Sequence, residues 1–75
     1  MKSALVLLAD GAEEMEAVIV VDVLRRGGVD VTAAGVGKKD KEAVECARGT
    51  RIVPDKAMDE VKDREFDAVV MPGKS

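Results

Sequence analysis

Residues 4–28, ALVLLADGAEEMEAVIVVDVLRRGG, decide the fold. They read as a buried strand over 4–9, a tight turn at Asp10-Gly11, an acidic helix start, and a helix stopped by Gly27-Gly28. An unbroken apolar run of this length is the pattern of a strand covered on both faces, as in a parallel sheet. Asp-Gly is turn chemistry. The helix predicted over 13–26 carries Glu13, Glu14 and Glu16 at its start and Arg25 and Arg26 at its end, each charge where the helix dipole favours it. The segment therefore opens a βα unit and sets carboxylates at the carboxyl end of a strand, where α/β folds keep their chemistry. Acidic first turns also arise for the dipole reason alone, so the carboxylates are a pointer and no more.

Working outward, residues 29–34 (VDVTAA) alternate and are rich in β-branched side chains, which predicts a second strand joined by a right-handed crossover. Residues 35–45 form a charged connector with a short extended piece near its end. Residues 50–53 read as another short strand ended by Pro54, and residues 55–61 as a brief helical excursion with Met58 and Val61 turned inward. Residues 66–71 (FDAVVM) make a last strand, closed by Pro72-Gly73. This order predicts a flavodoxin-like α/β sandwich of three layers with a parallel sheet, represented by its N-terminal part: about four strands and two helices. The strand ends that could gather a ligand are Asp10-Gly11, Gly35 and Pro72-Gly73.

The first helix has more apolar surface than one sheet needs. Ala17, Val21 and Leu24 form one line, Met15, Ile19 and Val23 another, with Val18 and Val20 around them. A helix packed only on its sheet shows one stripe of roughly 100°. A second buried surface is expected, against a partner subunit or a further part of the same fold. Composition agrees. At 75 residues, with Phe66 as the sole aromatic, one small domain at most is expected, burying about 60–65% of its unfolded surface. Such a core calls for more protein to finish it.

Hydrophobic residues at 47% and charged residues at 36% describe a globular chain, and the net charge of −3 offers no basic footprint for nucleic acid. The single cysteine, Cys46, precludes an intrachain disulfide framework. The N-terminal apolar run is too short for a signal or membrane segment, so a reducing cytoplasm is the expected compartment. With no histidine in the sequence, neither a histidine base nor a histidine-ligated metal can come from these residues.

Four features compete for a chemical role. Gly73-Lys74-Ser75 looks like the tail of a phosphate loop, but the first glycine of that pattern falls on Ala68, and the intervening residues 69–72 read as strand. Cys46 lacks a nearby base and has Glu45 against Arg48, which suits a small buried apolar residue better than a nucleophile. Glu16 lies in the first helical turn by the sheet edge. A carboxyl there, if partly buried, can donate a hydrogen bond to a thiolate or act as general acid/base; by periodicity alone it reads as a solvated helix-start glutamate. Asp22 interrupts an apolar face and is expected either to meet a cation across an interface or to be a solvated gap; Arg26 and Arg48 read as surface charges.

Residues 4–35 together with VECARGTRIVPD and FDAVVMPG resemble the N-terminal part of the parkinsonism-associated protein deglycase (Parkinson disease protein 7) family, within the PfpI-like superfamily. The GAEEME segment, the DVLRR helix end, the C-x-R pair and the strand-PG ending come in the same order and span essentially the whole chain. The resemblance implies a homodimer built partly on the first helix, through Met15, Ile19, Asp22 and Val23. It implies a cofactor-independent, cysteine-centred glyoxalase or deglycase acting on methylglyoxal-type carbonyls, with oxidative-stress sensing and chaperone activity, in the cytoplasm and also in nucleus and mitochondrion. Glu16 falls on the glutamate that hydrogen-bonds the reactive cysteine, Gly73 and Lys74 on the backbone amides of the oxyanion side, and Arg26 and Arg48 on basic residues at the pocket edge. Cys46 falls on a peripheral, redox-sensitive cysteine. Two departures stand out: lysine replaces the family's second glycine at position 74, and neither the nucleophile nor the later histidine occurs in these residues. The chain is expected to be a supporting half-site without activity of its own.

Overall fold

The computed structural model describes residues 1–73; Lys74 and Ser75 lie outside the described residues, and with them the role expected for the Lys74 amide. The elements are β1 (Ser3–Leu8), α1 (Glu14–Arg26), β2 (Asp30–Gly35), β3 (Val44–Glu45), β4 (Arg51–Ile52), β5 (Lys56–Ala57), α2 (Met58–Val61) and β6 (Ala68–Val70). Four strands form one parallel sheet in the order β5-β2-β1-β6, and β3 and β4 form a small antiparallel hairpin beside it.

The alternation along β1 builds the three layers. Ala4, Val6 and Leu8 face one side, where they join Ala12, Ala17, Val31, Ala33, Val44 and Cys46, with Val20, Val21 and Leu24 of α1 packed against them. Leu5 and Leu7 face the other side, with Ala34, Val61, Met58 and Phe66. Both faces of β1 are thus covered, which is why its sequence is an unbroken apolar run. β2 is buried along Val31–Gly35 for the same reason, despite a sequence that reads as half-exposed alternation. Residues 55–61, expected as one helical excursion, divide instead. Lys56–Ala57 extends to pair with β2, and only Met58–Val61 turns, so Met58 and Val61 still reach the second core.

The end of α1 shows how local sequence sets the crossover. Gly28 takes φ +83, a conformation glycine adopts without steric cost. Its N–H bonds Arg25 O at 3.0 Å and the Val29 N–H bonds Leu24 O at 3.0 Å, the paired closure of a Schellman turn. Leu24 and Val29 both pack on the same core. Just beyond, Asp55 Oδ2 accepts the Ala33 N–H (2.8 Å) and Arg25 Nη2 (2.9 Å), while Arg25 also donates to Val31 O (3.1 Å). These bonds tie the last turn of α1 to β2. Because β1 has β2 on one side and β6 on the other, the carboxyl ends of β1 and β6 flank the switch in strand order, where a doubly wound sheet opens a crevice.

Candidate functional site

At that crevice the turn after β1 is held on both flanks by backbone hydrogen bonds. On the hairpin side, the Gly11 N–H donates to Glu45 O (2.9 Å) and the Ala47 N–H to Ala12 O (2.8 Å). On the β6 side, the Glu13 N–H donates to Gly73 O at 2.8 Å, and the Gly73 N–H returns a bond to Glu16 Oε1 at 3.1 Å. Glu16 and Gly73, neighbours of distant sequence, are therefore joined at the sheet's carboxyl edge. An apolar cleft of about 220 Å³ opens near the same strand ends, lined by Leu7, Ala9, Ala12, Val36, Met71 and Pro72.

The three glutamates divide their tasks. Glu13 is the extended residue before α1 (φ −74, ψ 107), and its carboxylate lies 3.8 Å from Arg48 Nη1. Glu14 reaches the tip of the β3–β4 hairpin, where the Arg48 N–H donates to both of its oxygens (3.1 and 3.0 Å) and the Thr50 N–H to Oε2 (3.3 Å). Glu16 bonds Gly73. Hydrogen bonding from its own backbone N–H is the largest influence on the Glu14 carboxyl; burial opposes it, but with the bonds from Thr50 and Arg48 added the carboxyl is held below its ordinary 4.5. A carboxylate pKa depressed on folding gives stability that is present above the unfolded value and lost as pH falls through the folded one. The difference in melting temperature between wild type and Glu14→Gln is therefore expected to stay constant from pH 7 to about 5 and to shrink below pH 4.5. A gap that does not change with pH would remove this linkage.

Asp10 anchors the hairpin from the other direction. Its Oδ1 accepts the Glu45 N–H at 3.0 Å and its carboxylate pairs with Lys38 Nζ at 3.0 Å. The hydrogen bond to Asp10 pushes the Lys38 ammonium above its ordinary value, so this amine stays charged. Neither Asp10 nor Glu14 stood out in the sequence as a hairpin clamp. Turn and cap chemistry accounts for both residue types, and their long-range partners leave no local pattern.

Cys46 is 4% exposed and packs in the core against α1. Burial pushes its thiol up, with the Glu14 and Asp10 carboxylates adding to the effect. Arg26 is not brought to the crevice. α1 is 13 residues long, so at about 1.5 Å per residue Arg26 stands roughly 18 Å from Glu14 along the axis. There its Nε donates to Asp22 Oδ1 at 2.9 Å, so the cation that Asp22 meets lies on its own helix. Among the described residues no group of three His, Cys, Asp or Glu side chains could hold a metal ion, and no helix is long and apolar enough to cross a membrane.

This sheet, with a glutamate near the start of the first helix bonded to the glycine that follows the last strand, defines a recognisable class. Residues 2–74 match the DJ-1/PfpI family, and the chain belongs to it. It is 54% identical over 72 residues to Protein dj-1beta of Drosophila melanogaster, covering 96% of this chain and 37% of that one. It is 49% identical over 73 residues to the Glutathione-independent glyoxalase DJR-1.2 of Caenorhabditis elegans, covering 96% and 38%. The crystal structure of Drosophila DJ-1beta superposes with a TM-score of 0.92 at 53% identity, over 97% of this chain and 38% of that one. The chain thus spans little more than a third of the length of these relatives. Its fold is the N-terminal part of their flavodoxin-like domain.

Proposed function

We propose that these residues form the supporting half of a cysteine-dependent glyoxalase or protein deglycase site, in a homodimeric protein of the oxidative-stress response. The observation that carries the reading is the Glu16–Gly73 pair: a carboxyl and a backbone amide held together at the switch point. Glu16 serves there as the carboxyl that hydrogen-bonds the reactive thiolate. The Lys74 amide serves on the oxyanion side, where donors aimed at developing charge are most effective; the Gly73 N–H, expected there as well, donates instead to Glu16 Oε1 and orients that carboxyl. As the resemblance implies, the nucleophile belongs to a part of the same single domain outside these residues; Cys46, buried with its thiol pushed up, is unsuited to that role. No cofactor takes part. The glyoxalase name of the Caenorhabditis relative supports methylglyoxal-type carbonyls as substrates. Arg48 stands at the pocket edge of its own chain, and Arg26 reaches a pocket only across the dimer. The working compartment is the cytoplasm, extending to nucleus and mitochondrion.

The test is consumption of methylglyoxal by the full-length protein without glutathione and with a chelator present. Turnover that disappears when the reactive cysteine is replaced supports the reading, and an absence of turnover overturns it. A second reading, a redox-responsive chaperone or dimerisation module, draws on the exposed apolar face of α1. Its activity would survive replacement of that cysteine.

A further inference from the structure

We infer that Glu14 is a positioning residue of this site, fixing the tip of the β3–β4 hairpin and through it the place of the Arg48 guanidinium. The inference rests on the glyoxalase reading above. Two backbone bonds close the turn of the hairpin, the Cys46 N–H to Thr50 O (2.8 Å) and the Gly49 N–H to Cys46 O (3.0 Å), and a third, the Ala47 N–H to Ala12 O (2.8 Å), ties it to the turn after β1. The tip has one further anchor. It turns through Gly49 at φ +87, and the N–H groups on either side of that glycine, those of Arg48 and Thr50, converge on the Glu14 carboxylate. N–H groups that converge on one point from a turn form a concavity for an anion, and a carboxylate from the neighbouring helix fills it.

Among the described residues the Arg48 side chain has no comparable anchor of its own. Its ion pair with Glu13 spans 3.8 Å with the arginine side chain 67% exposed, and such exposed pairs contribute little. What holds Arg48 is its backbone, and of the side chains Glu14 is the one that bonds its N–H. The contacts then close a loop around the crevice. Glu14 bonds the Arg48 N–H, the Arg48 guanidinium faces Glu13, Glu13 donates to Gly73 O, and Gly73 donates to Glu16. From this position the planar fork of guanidinium donors suits the oxygens of a bound dicarbonyl. Because Arg48 would bind substrate before and during reaction alike, its misplacement is read mainly in KM.

The experiment is a double-mutant cycle in the full-length protein with methylglyoxal as substrate, using Glu14→Ala, Arg48→Ala, the pair together, and Glu14→Gln. Glu14→Ala is expected to raise KM about fivefold with kcat within about twofold of wild type, and Glu14→Gln, which keeps one acceptor, to recover most of the loss. In the Arg48→Ala background, Glu14→Ala should have no further effect. Unchanged KM in Glu14→Ala, or losses that multiply in the double variant, would show that Glu14 does not act through Arg48. The amide spectrum decides the positioning separately. Should the wild type leave methylglyoxal untouched, the glyoxalase reading fails on its own, and the Arg48 and Thr50 amide protons still report on the anchor. Their shifts are expected to titrate with Glu14 in wild type and to collapse in Glu14→Ala; retention of both shifts in that variant overturns the inference.

Discussion

Glu16→Ala in the full-length protein is expected to lower kcat/KM for methylglyoxal by about 100-fold, the lower end of what a positioned acid/base group contributes. The same change should raise the pKa of the reactive thiol by about one unit, because a hydrogen bond to the thiolate favours the charged form and its loss does the reverse. Oxidation of that thiol to the sulfinate should slow accordingly, since the thiolate is the species that reacts. Glu16→Gln keeps a donor and should lie between the two. Gly73→Ala probes the same contact without touching the glutamate. A Cβ there would stand 3.1 Å from Glu16 Oε1 and 3.3 Å from Oε2. The obstructing atoms are the end of a flexible, exposed side chain, so the carboxyl gives way and the fold survives. Displacement should weaken catalysis in the same direction, by about tenfold. The measurement is a thiol alkylation rate across pH with kinetics on the same samples; an unchanged thiol titration in Glu16→Ala removes the role assigned to Glu16.

The contrast between Glu16 and Glu14 shows where sequence reading stops. Both sit in the first turn of a helix, and the dipole explains both equally well. Glu16 stood out through family resemblance, and the structure adds a partner, Gly73, far along the chain. Glu14 had no such signal, because its partners lie on a hairpin whose strands are two residues each, too short for a period-2 pattern. The main sheet was legible for the opposite reason. β1 and α1 are long enough for periodicity to speak, and Gly28 marks the helix end through a positive φ that few other residues adopt. β5 was missed because pairing with β2 through Ala34 and Gly35 overrides the helical tendency of its neighbours. Asp22 and Arg26 are a middle case: each stands out singly, Asp22 as a gap in an apolar face and Arg26 as a charge at the helix end, and their i,i+4 spacing is what pairs them on one helix.

Ile19→Glu in the full-length protein is expected to convert a dimer into a folded monomer. Met15, Val18, Ile19 and Val23 are 73%, 55%, 53% and 58% exposed, and they lie together on the outward side of α1. An apolar slot of about 390 Å³ continues this face, bordered by Val18, Val21, Ile52 and Val53. Burying such side chains gains roughly 1.5–3 kcal/mol each at full burial, enough to matter against the cost of association. In a two-fold dimer every residue of the patch is buried twice, so one substitution places two carboxylates in the interface. At several kcal/mol for each unpaired buried charge, the dissociation constant should rise roughly 1,000-fold or more. The monomer itself should be unharmed, because position 19 is already exposed and glutamate is a good helix former. Sedimentation velocity at micromolar concentration, beside a thermal melt, separates the cases. A dimeric wild type with a monomeric, folded Ile19→Glu places the interface on α1. If the variant stays dimeric, the apolar face belongs against another part of the same fold, the alternative that an over-wide apolar helix always leaves open.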